Sequence, residues 1–358
     1  MSKKFRVLLF MQVSWLITLY ARFNRDFAEF YVLKVYPVFA KSISLFTSAV
    51  NFSLAEFIII VFVITAAVYF FITLIKTVAR KSSRYFKNFL LNIAVLLSVV
   101  YFIFVIFCGI NYYRYEFTYY SGLEVREYSR ADLINLCEIL INDANETRSK
   151  LNKAGGGTAK LFEDDYYKMV EKAKKTFDNI SEQYEVLKGD YPAPKAVFFS
   201  KVMSHFQITG MFFPFTFEAN VNADIPAYQM PSTMLHELTH LRGFMREEDA
   251  NFISYIACIN SGFNDFAYSG IMLALSYSMN ALYEEDLDAY ERLGSFYSDD
   301  VKKDLMQSAN YWRQFDTIAV KISDRVNDIY LKSNNQKNGV KSYGGMVDLL
   351  LAYYSDAR

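Results

Sequence analysis

Cysteine is scarce in this sequence, and its three residues have neither the Cys-x-x-Cys spacing of a metal site nor an even number for pairing. Cys108 also lies inside a long apolar run, where a disulfide framework is not expected. We therefore interpret Cys108, Cys137 and Cys258 as buried free thiols.

Net charge is lacking too, because 38 lysine and arginine residues balance 38 aspartate and glutamate residues. A protein that binds nucleic acid normally carries a clear basic excess to neutralise phosphates. The charge balance therefore argues against nucleic acid as a partner. The length of 358 residues allows one large domain or two ordinary ones.

Apolar residues are abundant but concentrated in the first third of the chain, in runs at 7–21, 54–75 and 89–110. A helix of about 20 apolar residues crosses the roughly 30 Å hydrocarbon layer, and the second and third runs are long enough. The first run is shorter and follows basic residues, as a signal peptide does, but no small-residue cleavage site comes after it. We interpret residues 1–111 as a membrane domain with three transmembrane helices in a lipid bilayer.

Basic residues predict the orientation of these helices. They precede the first run and crowd the short loop between the second and third, at Lys3, Lys4, Arg6, Lys76, Arg80, Lys81, Arg84 and Lys87. The positive-inside rule keeps both regions cytoplasmic, so three crossings place residues 112–358 on the extracytoplasmic side of the cell membrane. Residues 23–53 either lie along the outer membrane surface as an amphipathic segment or pack on the globular domain.

Helical patterns dominate residues 112–358. Ser129 and Asp132 resemble an N-terminal cap, and a charged helix is predicted at 162–187. The aromatic segments 195–200 and 210–222 are predicted strands, with Pro214 indicating an edge strand in the second. A final apolar stripe is predicted to be core, and it consists of Phe315, Ile318, Ile322, Val326 and Ile329. The predicted class is a mainly helical α+β domain with a small sheet.

Histidine is as scarce as cysteine, yet two of the three histidines stand four residues apart in the segment HELTH, as His236 and His240. That spacing places both imidazoles on one face of a helix, where they can bind one zinc ion at about 2.0–2.1 Å. Glu237 then reaches a zinc-bound water as general base. The alternative is a pair of half-buried polar residues on an amphipathic helix. The apolar residues around the motif and the acidic residues that follow it favour the metal site.

A third ligand follows after Gly243, which is able to adopt the left-handed conformation that ends a helix. An unbroken helix would carry Glu247 about 10.5 Å along the axis beyond His240, so the chain must turn there. Glu247 is preferred because Asn251, one turn later, shares its face and can orient a ligand by hydrogen bonding. Glu248 remains the alternative, and both acids also suit a plain helix N-terminus.

The segments HELTH, Gly243 and REEDAN (residues 246–251) resemble the glutamate-zincin pattern of HtpX-type and CAAX-prenyl-protease-type membrane peptidases. The resemblance implies Glu247 as third zinc ligand, with Asn251 where those families have aspartate. Over nearly the whole chain the sequence is similar to the bacterial family catalogued as domain of unknown function 3810, which implies a membrane-anchored zinc peptidase with a zincin-like fold. The opening HExxHxxG also occurs in metzincins, but their third ligand would fall on Arg246, which cannot bind zinc.

The sequence gives weaker support to functional roles for several other residues. His205 is either a transition-state donor or an ordinary surface or core histidine. Tyr268, Tyr277 and Tyr343 are possible oxyanion donors among many structural tyrosines. The segment FTFEAN (residues 215–220), as an edge strand, would bind an extended peptide by strand addition.

The expected function is hydrolysis of a peptide or protein substrate by a zinc-activated water. Two alternatives remain open: a zinc hydrolase of a non-peptide substrate, and a non-catalytic zinc-binding membrane protein with a signalling or structural role. A structural zinc site is usually closed by four protein ligands, and no cysteine near the motif is suited to close it.

Overall fold

The computed structural model describes residues 7–153, 166–336 and 345–356, and these form two compact units. The first unit runs to Arg114 and also contains Phe213–Glu218, and the second contains the other described residues. The described chain is mainly helical with one small sheet, which confirms the predicted secondary-structure class. All three cysteines are free and buried, as predicted. The predictions for Lys3, Lys4, Arg6 and Tyr343 fall outside the described residues.

The first unit is helical. Its helices are α1 (Leu9–Phe23), α2 (Arg25–Phe30), α3 (Tyr36–Thr47), α4 (Leu54–Ala79) and α5 (Arg84–Phe107), with a π-helical turn at Tyr31–Val35 and a 3-10 turn at Gly109–Tyr113. Residues 23–53, for which two placements were open, are therefore largely helical. Helix α4 begins after the N-cap residue Ser53, whose hydroxyl accepts a hydrogen bond from the Glu56 N–H.

Helices α4 and α5 are long and apolar enough to cross a membrane. Only 6% and 11% of their most apolar stretches are buried, whereas the core helix of a soluble protein would be largely covered. Helix α1, at 15 residues, is about 22 Å long and shorter than the hydrocarbon layer. It packs on α5, where Phe10 contacts Phe102 and the Met11 N–H donates to Ser98. The described residues thus contain two candidate spans, and the third stays a prediction.

The second unit carries the remaining α-helices and the sheet, except that the strand-end residues Phe213 and Glu218 belong to the first unit. These elements are α6 (Phe117–Ser121), α7 (Arg130–Lys153), α8 (Tyr166–Gln183), β1 (Lys195–Ala196), α9 (Ser200–His205), β2 (Gly210–Phe213), β3 (Glu218–Val221), α10 (Met230–Leu241), α11 (Glu247–Ile259), α12 (Asn264–Glu285), α13 (Leu287–Gly294), α14 (Asp299–Arg313), α15 (Ile318–Ser333) and α16 (Gly345–Asp356). The predicted cap of α7 is present, since Ser129 and Asp132 hydrogen-bond each other reciprocally. The predicted helix at 162–187 ends earlier, at Gln183, and a 3-10 turn covers Glu185–Leu187.

Helix α12 lies at the centre of this unit and packs against α7, α10 and α11. A buried ion pair fixes the helices around it, with Arg148 Nε 2.6 Å from Asp304 Oδ2. The Tyr268 hydroxyl, from α12, donates to the same carboxylate at 2.8 Å. Since both charges are buried and paired, this network ties α7, α12 and α14 together.

The sheet differs from the sequence prediction. Its order is β1-β3-β2, with β1 and β3 parallel in the register Lys195 to Asn220. The single strand predicted over 210–222 is instead a hairpin, and Pro214 lies in the turn rather than in an edge strand. Proline lacks the N–H that a strand ladder needs, and a turn accommodates it because that N–H is not required there. The strand predicted at 195–200 is reduced to two residues because helix α9 begins at Ser200.

The final apolar stripe is not core. Phe315 is buried, but Ile318, Ile322, Val326 and Ile329 on α15 are exposed. Helix α15 is held instead by its opposite face, where Val320 and Leu331 are buried. Helical spacing shows that apolar residues share a face, but it does not show whether another element covers that face.

Candidate metal centre

The two motif histidines and the acidic segment after them lie on consecutive helices of the second unit. Helix α10 ends at Leu241, and Gly243 follows in the left-handed region with φ 86°. The Arg242 side chain secures this end by donating to the Leu238 and Leu187 carbonyls. Helix α11 then begins at Glu247, so the turn that Gly243 permits brings its first residue back to the histidines.

Three side chains converge on one point. Glu247 Oε2 lies 3.4 Å from His236 Nε2, and Glu247 Oε1 lies 3.6 Å from His240 Nε2. The candidate ligand atoms of the three residues all lie within 4.8 Å of one another. Bonds of 2.0–2.1 Å around a tetrahedral ion separate neighbouring ligands by about 3.4 Å. The two glutamate–histidine distances are close to this value, and two imidazole nitrogens with one carboxylate oxygen are a donor set that zinc accepts.

Hydrogen bonds orient both imidazoles towards this point. His240 Nδ1 lies 2.7 Å from the Phe244 carbonyl, so the proton sits on Nδ1 and leaves Nε2 as an acceptor. The Asn251 side chain hydrogen-bonds His236, and Asn251 Nδ2 donates to the Tyr277 hydroxyl at 3.2 Å. Asn251 thus hydrogen-bonds a candidate ligand, as the sequence predicted, and the Tyr277 hydroxyl in turn accepts a hydrogen bond from Asn251.

Glu237 is buried beside the two histidines and contacts strand β2. The Phe212 backbone N–H hydrogen-bonds its carboxylate. A Cβ on Gly210 would lie 2.5 Å from Glu237 Oε1, so the strand approaches the carboxylate closely only because residue 210 has no side chain. None of the described residues hydrogen-bonds Glu237 Oε2, although this oxygen is buried. Such an oxygen is suited to a ligand or a water.

Burial and mutual charge set the pKa values of these groups in the metal-free chain. Burial lowers the pKa of His236, but the hydrogen bond and charge of Glu247, aided by Glu237 and Asn251, outweigh it and raise this pKa to about 9. Burial and the charge of His236 lower the pKa of His240 to about 4. Burial raises the pKa of Glu237 to about 8. The histidines hold the pKa of Glu247 below its usual value despite burial.

Glu248, the alternative ligand, has another partner. Its Oε2 accepts a hydrogen bond from Gln336 Nε2 at 2.7 Å, and its Cβ is the atom that a Cβ on Gly345 would meet. Of the two acids, Glu247 is the one among the described residues that joins the histidine pair.

The other predicted residues divide between packing and the site. His205 contacts the Phe315 ring edge-on, and Tyr268 belongs to the buried network of Asp304. The segment FTFEAN is wrong as an edge strand, since β3 is the central strand and β2 lies at the end of the sheet. The sequence prediction also missed Gly210 as a neighbour of Glu237. A lone glycine before an aromatic strand is the signal for such a close approach.

The comparisons with known proteins identify a family. The model described as "Protein of unknown function (DUF3810)" matches residues 31–351, and the chain therefore belongs to this family. This confirms the family resemblance predicted from the sequence, while the family's description assigns no activity. No curated protein and no solved structure matches the chain.

Proposed function

We propose that this chain is a membrane-anchored zinc metallopeptidase whose second unit contains the active site and faces away from the cytoplasm. The observation that carries the proposal is the convergence of His236, His240 and Glu247 beside the buried carboxylate of Glu237. Three protein ligands leave the fourth position of a tetrahedral ion open, as in catalytic zinc sites.

A zinc ion at this site would supply a Lewis acid that makes water a nucleophile near neutral pH. Glu237 would accept a proton from that water at Oε2 and pass it to the leaving amine. The Phe212 N–H holds the other part of the carboxylate in place.

The position of strand β2 favours a peptide over other substrates. It lies at one end of the sheet, and Gly210 and Phe212 both contact Glu237. An extended peptide that pairs with such a strand would present its backbone carbonyls near the general base. We therefore propose strand addition on β2, instead of on the FTFEAN segment.

The test is Glu237→Gln in the purified full-length chain, with zinc content and peptide-library cleavage measured together. Because Glu237 moves protons and is not a ligand, the variant should keep one bound zinc while cleavage falls about 100-fold or more. Glu171→Gln, at an exposed position on α8, is the matched control and should change neither quantity.

Two results would contradict the proposal in different ways. A wild-type chain that stays metal-free after zinc add-back would exclude the metal site. A chain that binds zinc but cleaves no peptide with either residue at 237 would exclude a peptidase and leave two functions: hydrolysis of a non-peptide substrate and a non-catalytic zinc-binding role.

A further inference from the structure

Helix α15 of the second unit exposes a continuous apolar stripe. Its members are Ile318, Ile322, Val326 and Ile329, which are 77%, 58%, 61% and 57% exposed. At about 100° per residue they fall within an arc of about 80° on one side of the helix. Val320 and Leu331 are buried on the opposite side, so the stripe points away from the unit that holds the helix.

Basic side chains line one border of this stripe. Lys321, Arg325 and Lys332 fall about 20 to 60° from Ile318 on the side opposite Val326. Lys321 and Arg325 are exposed, and Lys332 makes an exposed ion pair with Asp328, which in water contributes little. An apolar stripe with a basic border is typical of a helix that lies in the interface of an anionic membrane.

Two exposed aromatic residues precede helix α9, whose far end contacts the segment before α15. Helix α9 packs on the segment before α15, with His205 against the Phe315 ring and Ser204 Oγ 2.7 Å from the Tyr311 hydroxyl. Phe198 and Phe199, just before α9, are 85% and 50% exposed. Large apolar side chains of this kind insert at the boundary between headgroups and acyl chains.

We propose that α15 lies in the interfacial plane of a bilayer that contains anionic phospholipid, with its apolar stripe at the acyl boundary and its basic border on the phosphates. The two apolar helices α4 and α5 belong to the same chain, and attachment to a membrane keeps the local lipid concentration high. A stripe too small to bind lipid from solution is sufficient under that condition. The contact would hold the second unit at the membrane surface whatever reaction it performs.

The experiment uses the full-length chain in nanodiscs that hold one protein each. A polarity-sensitive fluorophore is attached at Ile322→Cys, and the matched control is Asp324→Cys, exposed on another face of the same helix. The unsubstituted chain gives the background, because its three cysteines are buried. We expect the label at 322 to shift to the blue and to be quenched by doxyl-labelled lipid, and the label at 324 to be quenched by aqueous iodide.

Anionic lipid and charge variants test the basic border. Replacing phosphatidylcholine by a mixture with phosphatidylglycerol should increase lipid quenching at 322. Each of Lys321→Gln and Arg325→Gln should lower the ratio of docked to undocked helix about five-fold. Asp324→Asn, with the label at 322, should not lower it.

Three outcomes would overturn the proposal. Equal iodide quenching at 322 and 324 would show that the stripe faces water. Protection of 322 from both quenchers would show that protein covers it. Disulfide-linked dimers of Ile322→Cys in the detergent-solubilised chain, with no lipid quenching, would assign the stripe to a second copy.

Discussion

The three consecutive acidic residues at the start of α11 serve three different purposes. Glu247 faces the histidine pair, and Glu248 accepts a hydrogen bond from Gln336. The Asp249 carboxylate accepts from the Phe117 backbone N–H at 3.1 Å and is buried. All three suit the positive end of the helix dipole, which is why the sequence does not distinguish them. Their directions around the helix give each a separate partner.

Replacing Glu247 by alanine should weaken zinc binding sharply, since it would remove one of the three proposed ligands. Glu248→Ala should weaken it much less, because that side chain hydrogen-bonds Gln336 and lies outside the cluster. Competition with a calibrated chelator at fixed pH measures both affinities. A larger loss for Glu248→Ala than for Glu247→Ala would show that the metal binds on another face of α11.

Adding a single methyl group at Gly210 should displace Glu237. A Cβ there would lie 2.5 Å from Glu237 Oε1 and 2.7 Å from its Cγ, too close for either atom to stay. We expect Gly210→Ala to lower kcat with little change in zinc content, because no ligand is touched. The control is Gly122→Ala, because a Cβ at residue 122 would meet nothing within 4 Å. The φ of 73° at Gly122 makes alanine strained there, but that strain lies outside the metal site. Unchanged kcat in Gly210→Ala would remove Glu237 from the proton-transfer step.

The segment Phe213–Glu218, which contains the turn between strands β2 and β3, belongs to the first unit. The buried Glu218 carboxylate accepts hydrogen bonds from the Leu54 and Ala55 backbone N–H groups at 3.2 and 2.8 Å. It also accepts from the Thr216 hydroxyl at 2.8 Å. These N–H groups start helix α4 and have no partner within the helix, so Glu218 caps the first candidate span from outside its own sequence.

Glu218→Ala should destabilise the first unit by about 2–3 kcal/mol, because it leaves helix N–H groups without a charged acceptor. Thr216→Val should cost only about 1 kcal/mol, the value of one ordinary hydrogen bond. The chain has two tryptophans, and in a Trp312→Phe background Trp15 reports on the first unit during denaturant unfolding in micelles. Equal stability of wild type and Glu218→Ala would mean that water caps α4 equally well.

At the scale of the whole molecule, the two candidate spans and the loop between them determine the expected orientation. Lys76, Arg80, Lys81, Arg84 and Lys87 lie at the ends of α4 and α5 or between them. By the positive-inside rule we expect this loop to be cytoplasmic and the residues after α5 to lie on the other side of the membrane. Removal of the first apolar run should leave the orientation unchanged, because the basic residues of the loop remain.

Alkaline phosphatase fused after Arg358 should therefore be active, and a cytoplasm-dependent fluorescent protein at the same position should be dark. Deletion of residues 1–23 should not change either result. Replacing the five basic residues by glutamine should randomise or reverse the orientation, because they carry the charge bias. Fluorescence of the fusion in the unaltered chain would show that the second unit is cytoplasmic.

Features that depend on local spacing can be predicted from the residues alone. Two apolar runs were long enough to span a bilayer, and the four-residue spacing of His236 and His240 placed both rings on one helix face. Gly243 marked the turn that the structure shows with φ 86°. Each of these follows from residues close together in the chain, where helix geometry fixes distances without knowledge of the fold.

Contacts between distant parts of the chain depend on the three-dimensional fold and could not be predicted from local spacing. The fold places Gly210 and Phe212 beside Glu237. It also places Gln336 where it donates a hydrogen bond to Glu248, and Glu218 where it accepts from the start of α4. It also turned the predicted core stripe of α15 outward. A periodic pattern states which residues share a face, but whether that face meets protein, lipid or water depends on what the rest of the chain places against it.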